Sequence, residues 1–245
     1  MFAKLPRLFC FALITLAFPI YAEEPDRATP LKVMSFNIRY GAAKDGDNHW
    51  NNRKNFVAET IRVFDPDLLG LQECLDFQGQ FLRDQLPGYT FHGVGREDGG
   101  QTGEFVPVMY KTERFELVDS GHYWLSETPE IAGSKSWDSS LPRMVSWVRL
   151  KDKLDSDSEP FVFTNAHFDH KGSEARHESA RLMWRRHVSG KNSEAVIMTG
   201  DFNSGEDSDP YNALVKGAGQ IKKGDEPLID TSVSYTHLTL PTSPK

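Results

Sequence analysis

Cysteine is nearly absent: Cys10 and Cys74 are the only two in 245 residues. Cys10 lies inside an apolar run, Leu8 to Phe18, that follows Lys4 and Arg7 and leads to Ala22. That arrangement makes residues 1–22 read as a cleaved signal peptide, since the run is too short to cross a bilayer comfortably. The expectation is export to the periplasm or the exterior after cleavage near Ala22, with no stable membrane anchor. Cys74 is then the sole thiol. This excludes an internal disulfide and leaves stability to a hydrophobic core, which a chain of this length can bury. Cys74 follows an apolar run and reads as a buried, inert thiol.

A basic surplus is missing as well. Lys and Arg total 28 against 35 Asp and Glu, a net charge of −7, or −9 once Lys4 and Arg7 are removed. Proteins that grip duplex DNA usually carry a basic stripe. The one basic cluster, Arg181 to His187, sits beside Glu174 and Glu178 and reads as a solvated helix face. Long duplex DNA is therefore a disfavoured partner. No internal repeat divides the chain, and Asp152 to Glu159 reads as a charged hairpin tip rather than a linker, so one domain is expected.

What the chain does have is alternation. Leu31 to Ile38 alternates apolar and polar residues between Pro30 and Gly41, a strand pattern. Arg53 to Phe64 carries apolar residues at 56, 57, 61 and 64 and stops at Pro66, which predicts a helix. Leu68 to Leu71 is a short apolar run that suits a strand buried on both faces. A helix is expected over Phe77–Leu86. Strands are expected over Tyr89–Val94, Val106–Lys111, Phe115–Tyr123, Met144–Leu150, Phe161–Phe168 and Ala195–Met198, with a helix at Glu174–Val188. Early alternation of strands and helices, then several strands in succession, predicts mixed sheets with helices outside.

Chemistry gathers at strand ends. Gly200-Asp201-Phe202-Asn203 closes the last strand and places a carboxylate and an amide two residues apart, on one side of an extended chain. The bland reading is a turn, because Gly, Asp and Asn are common turn formers. Three other stretches share the construction. Ser35-Phe36-Asn37 puts an amide at a strand tip, and Gly70-Leu71-Gln72-Glu73 puts a carboxylate there. Thr164-Asn165-Ala166-His167-Phe168-Asp169 puts His167 and Asp169 two apart. Oxygen donors with one imidazole favour Mg²⁺, which needs few protein ligands because it keeps several waters. A zinc site would be richer in His and Cys.

In order, Val33-Met34-Ser35-Phe36-Asn37, Leu71-Gln72-Glu73, Thr164-Asn165-Ala166-His167 and Gly200-Asp201-Phe202-Asn203 resemble the motifs of the endonuclease/exonuclease/phosphatase family. The resemblance implies an α/β fold over residues 30–232, a four-layer sandwich of two mixed β-sheets flanked by helices. It implies a Mg²⁺-dependent hydrolase of phosphoester bonds, with Mn²⁺ as the alternative ion and a phosphodiesterase or nuclease ahead of a phosphomonoesterase. By the same resemblance Asn37 and Glu73 bind the metal, and His167 donates to a phosphate oxygen. Asp201 and Asn203 position the attacking water and the phosphoryl group. Arg143 resembles a phosphate-contacting arginine, and Glu104 the acidic partner that orients His167. Tyr123 to Pro129, Ser134 to Asp138 and Asp169-His170 resemble secreted bacterial members; Asp169, on the substrate, and His170 add a ligand at the site edge, and Trp124 and Trp137 form a substrate wall, with packing the reading for at least one of them. A noncatalytic binding module on the same fold and a zinc hydrolase using His167, Asp169 and His170 are the competing readings.

The pattern departs from the family after Asp230. The family closes with a strand carrying an Asp and then a Ser-Asp-His that supplies the general base; this sequence contains no Ser-Asp-His. Residues 233–245 instead resemble sequencing-adapter read-through, and His237 shares nothing with the family's base. The expectation is a domain without its C-terminal strands, with an exposed sheet edge and little activity.

Overall fold

The computed structural model describes residues 30–155, 157–190 and 194–231. The expected signal peptide and the segment 233–245, with His237, lie outside them. Eight strands form two four-stranded sheets. The first has the order β1-β2-β4-β3, built from β1 (Val33–Asn37), β2 (Leu68–Gln72), β3 (Tyr89–His92) and β4 (Val108–Lys111). The second has the order β5-β6-β7-β8, built from β5 (Phe115–Trp124), β6 (Met144–Asp152), β7 (Phe161–His167) and β8 (Val196–Asp201). Each sheet is mixed, because β1 runs parallel to β2 and β7 parallel to β8 while the other pairings are antiparallel. No strand follows β8 among the described residues.

Helices α1 (Trp50–Phe64) and α2 (Asp76–Gln85) cover the outer face of the first sheet, burying Val57, Ala58, Ile61 and Leu82 against Leu69, Leu71 and Met109. Helices α3 (Ser173–His187) and α4 (Asp209–Val215) cover the second, burying Ala180, Met183 and Leu214 against Val145 and Ala166. Between the sheets, Leu68, Val108, Val148, Leu150, Phe161 and Phe163 make an apolar layer. The expected four layers are thus present.

Local differences from the sequence expectation have physical causes. α1 starts earlier, at Trp50, where the His49 imidazole accepts from the Asn51 N–H. Its inward stripe is Trp50, Val57, Ala58 and Ile61, and Phe56 is left 73% exposed. α4 went unread, although Ser208 caps it and Pro210 sits in its first turn, where a missing N–H does no harm. The basic cluster on α3 is only partly solvated: Arg186 pairs with Glu130, whereas His187 turns inward to the Tyr123 hydroxyl.

Alternation places the site. Residues two apart face one side of a strand, and on four strands that side changes character toward one end. β1 offers Val33, Ser35 and Asn37; β2 offers Leu68, Gly70 and Gln72; β7 offers Phe163, Asn165 and His167; β8 offers Ile197, Thr199 and Asp201. The apolar layer thus passes through a polar seam and opens into a cleft lined by Ser35, Asn37, Gln72 and Gly200 to Ser204.

Candidate active site

The seam sets the approach of the sheets. Asn165 Oδ1 accepts from Gln72 Nε2 at 2.7 Å and from Thr199 Oγ1 at 3.2 Å, while Asn165 Nδ2 donates to the Leu71 and Pro107 carbonyls at 2.6 and 3.0 Å. Ser35 Oγ accepts from the Gly200 N–H at 3.2 Å and ties β1 to β8. These groups carried no role in the sequence reading, although Ser35, Asn165 and Thr199 each lie one strand repeat before a residue that did, and Gln72 directly precedes Glu73.

Beyond the seam, Asn37, Glu73, His167 and Asp201 converge. Asn37 Nδ2 donates to Glu73 Oε1 at 2.9 Å and to Asp201 Oδ2 at 3.0 Å. Glu73 adopts a left-handed backbone at φ 58°, which turns its carboxylate off the end of β2, where the Tyr40 N–H meets it at 2.6 Å. Asn203 is left-handed too, at φ 46°, and its Nδ2 donates to the Phe168 carbonyl at 3.0 Å. Non-glycine residues in this region cost about 1–3 kcal/mol and gather at functional sites. Phe202 packs edge-on against Phe168 at 5.0 Å and anchors the turn.

His167 is buried, with Nε2 3.8 Å from Asp201 Oδ2 and Nδ1 3.9 Å from Glu104 Oε2. Burial, reinforced by the nearby Arg143 guanidinium, pulls its pKa down to about 4 despite the carboxylates. Burial raises the Glu104 pKa, against the pull of Arg96, which donates to Glu104 Oε2 at 2.7 Å. Arg143 is 4% exposed, and its pKa is lowered by burial and by Arg96. Its Nε reaches Asp169 Oδ2 at 3.5 Å and its Nη2 donates to His170 Nδ1 at 3.0 Å, leaving Nη1 buried without a partner.

Asp169, expected on the substrate, sits beneath Arg143. Its oxygens accept from Ser140 N and Oγ, Leu141 N, Lys171 N and Gly172 N. Burial alone would raise its pKa, but these donors drive it well below the carboxylate range. With its lone pairs used, it fastens Arg143 rather than facing the cleft. His170 Nδ1 accepts from an arginine, which can only donate, so His167, Asp169 and His170 do not form a zinc site. Trp124 is packing: it is buried and its Nε1 donates to the Arg96 carbonyl at 2.6 Å.

Among the described residues no group of three or more His, Cys, Asp or Glu forms a metal cage. The donor set nevertheless fits a hard divalent cation that keeps most of its waters. Glu73 and Asp201 both direct an oxygen at one point, where the Asn37 N–H groups now supply the positive partner. Glu73 would hold such an ion, supplying charge to a phosphoryl oxygen, joined by the Asn37 amide oxygen once the amide turns it from the Arg39 N–H, from which it accepts at 2.9 Å.

The fold has counterparts among solved structures. An endonuclease/exonuclease/phosphatase from Bacteroides vulgatus is 37% identical, with TM-score 0.72 over 78% of this chain and 72% of its own. The mannosyl-6-phosphatase of Bacteroides thetaiotaomicron is 38% identical, with TM-score 0.70 over 77% and 71%. Protein angel of Drosophila melanogaster is 25% identical over 225 residues, 81% of this chain, which spans 59% of that relative's length. The sequence profile of the Endonuclease/Exonuclease/phosphatase family matches residues 34–244, more than half of the chain. With the paired carboxylates, the buried imidazole and the four strand-end motifs in place, the chain belongs to the Endonuclease/Exonuclease/phosphatase family.

Proposed function

We propose that this protein is an exported, Mg²⁺-dependent phosphoester hydrolase acting on small phosphomonoesters. The observation that carries the reading is the convergence of Asn37, Glu73, Asp201 and His167 from four strand ends in two sheets. The similar structure of a mannosyl-6-phosphatase supports a monoester over the diester that the family resemblance put first. The net charge of −7 agrees, because it opposes a long polyanion. Export rests on the N-terminal apolar run alone.

Phosphoester hydrolysis needs a positioned water, positive charge on the phosphoryl oxygens and donors fixed in advance. Arg143 Nη1, buried and unpaired, gains an acceptor when a phosphate oxygen reaches it, which relieves the cost of an orphaned charged donor. Burial is the main reason His167 is neutral and Arg143 adds to it; a phosphate dianion offsets the arginine's part, which favours a proton on Nε2 that can be donated as charge develops. Asp201 and Asn203 flank the place for the water. No Ser-Asp-His is present to serve as base, so turnover by this chain is slow.

The test compares p-nitrophenyl phosphate with bis(p-nitrophenyl) phosphate, with Mg²⁺ and with EDTA. Slow, EDTA-sensitive hydrolysis favouring the monoester supports the reading, and preference for the diester restores the alternative. Mg²⁺-independent turnover, or no Mg²⁺-dependent binding of inorganic phosphate, overturns it.

A further inference from the structure

Arg96 belongs to none of the strand-end motifs, yet it is held as firmly as any residue of the cleft. It lies at the base of a loop closed by bridges from Phe105 to both Gly95 and Cys74. The Arg96 N–H donates to the Glu104 carbonyl at 3.1 Å, and the Glu97 N–H to the Thr102 carbonyl at 3.1 Å. At the tip, Asp98 accepts from Gly100 N, Thr102 N and Thr102 Oγ1. From outside, Trp124 Nε1 pins the Arg96 carbonyl. The backbone of Gly133 packs so closely on this loop that a Cβ there would stand 2.3 Å from the Glu97 carbonyl oxygen. The loop is therefore a rigid mount.

What it mounts is a guanidinium with 9% of its side chain exposed, bonded to one oxygen of Glu104, itself 13% exposed. That oxygen is also the nearest carboxylate atom to His167 Nδ1, a buried nitrogen with no hydrogen-bond partner. Charge-assisted hydrogen bonds outlast neutral ones, so the 2.7 Å contact with Arg96 decides where Glu104 stands, and the 3.9 Å gap to His167 follows from it.

We propose that Arg96 is a positioning residue for His167: it holds Glu104 Oε2 as an acceptor beside Nδ1, so that Nε2 is the imidazole nitrogen that exchanges its proton with the cleft. Fixing one ring nitrogen sets the task of the other. The proposal rests on the phosphoester-hydrolase reading, and it assigns a role to a residue that touches neither substrate nor metal. Arg143 and Arg39 also act on Glu104 through space, but neither is hydrogen-bonded to it: Arg143 Nε and Nη2 are taken by Asp169 and His170, and Arg39 by Asp45.

The experiment reads the His167 ring nitrogens by long-range ¹H–¹⁵N NMR of the metal-free full chain near neutral pH, which needs no activity. Wild type and Arg96→Lys should show the Nδ1–H tautomer. In Glu104→Gln, Arg96 still claims the side-chain oxygen and keeps it in the Oε2 place beside Nδ1, so the Nδ1–H tautomer should persist. In Arg96→Gln/Glu104→Gln nothing holds that oxygen beside Nδ1, so the preference for the Nδ1–H tautomer should be lost. In parallel, kcat for Mg²⁺-dependent p-nitrophenyl phosphate hydrolysis should fall about 10–100-fold in Arg96→Gln with KM unchanged, as for other groups that orient an active imidazole, and Arg96→Lys should recover most of it. A switch to the Nε2–H tautomer in Glu104→Gln, the same tautomer with and without Arg96, or a rise in KM at constant kcat overturns the proposal. If no variant and no wild type hydrolyses phosphoesters, the functional reading fails, and the NMR result still decides the role of Arg96.

Discussion

Asn165 on one sheet accepts a hydrogen bond from Gln72 on the other at 2.7 Å, and this contact marks where packing gives way to chemistry. Below it lie Phe163 and Leu68; one strand repeat above Asn165 lies His167, and Glu73 directly follows Gln72. A buried amide pair demands complete hydrogen bonding, so it tolerates one register of the two sheets and rejects others. The catalytic distances inherit that register.

Gly70 should test this seam. A Cβ there would lie 2.1 Å from Thr199 Oγ1 and 2.6 Å from Asn165 Oδ1, with no flexible chain end to move aside. Gly70→Ala should destabilise the fold by about 1–3 kcal/mol, the usual range for overpacking. Urea unfolding measures it. A shift of the midpoint within error of wild type would show that the sheets separate more freely than the seam implies.

Asp169 should matter to stability and to phosphate binding together. Asparagine in its place turns N–H donors toward the N–H groups of Ser140, Leu141, Lys171 and Gly172 and leaves Arg143 without its buried counter-charge. Asp169→Asn should cost about 3 kcal/mol and weaken binding of inorganic phosphate at least as much as Arg143→Lys does. Calorimetric titration with phosphate in Mg²⁺ compares the two variants; unchanged affinity in Asp169→Asn would free Asp169 from any role in holding Arg143.

A second imidazole pair should make stability pH-dependent. His92 on β3 and His122 on β5 stack at 4.3 Å with an 11° interplanar angle. Burial lowers both pKa values, and His122 falls to about 4 with help from His92. Unfolded imidazoles protonate near pH 6.5, so between there and pH 4 the unfolded chain binds more protons. Stability should therefore drop as pH falls through that window, by about 1–2 kcal/mol after allowance for partial exposure, and level off below it. His122→Phe should flatten this part of the curve in thermal melts taken from pH 7.5 to 4. An equal slope in the variant would assign it to other groups.

Cys74 should be silent in the native state. It is fully buried, and burial pushes its thiol up to about 12. In the chain without residues 1–22, which carry Cys10, Ellman's reagent should react with it only at the rate of unfolding, reaching one thiol per chain in denaturant. Fast labelling without denaturant would mean that the layer under α2 opens locally.

Much of this was visible before folding, for a definite reason. Strand alternation is a local property, so the series Val33, Ser35, Asn37 and its three counterparts could be read directly, and each ended on a residue that reaches the cleft. The role of Asp169 was not legible, because its five donors come from two loops separated by about thirty residues. Arg96 was hidden for a related reason: its loop has no periodicity, and its importance comes from a contact with Glu104 that the chain path creates. The inward stripe of α1 was misplaced because helical spacing leaves two faces open: the buried one runs through Trp50, Val57, Ala58 and Ile61, and Phe56 falls just outside it on the exposed side.

The most direct test of the central claim is Mg²⁺ binding at Glu73, followed as thermal stabilisation and as Mg²⁺-dependent phosphate release from p-nitrophenyl phosphate. Wild type should gain stability with Mg²⁺, bind inorganic phosphate only when Mg²⁺ is present, and hydrolyse the ester slowly, with every response lost in Glu73→Gln and the hydrolysis lost in Asp201→Asn. Stabilisation by Mg²⁺ and phosphate that persists unchanged in Glu73→Gln would contradict the account.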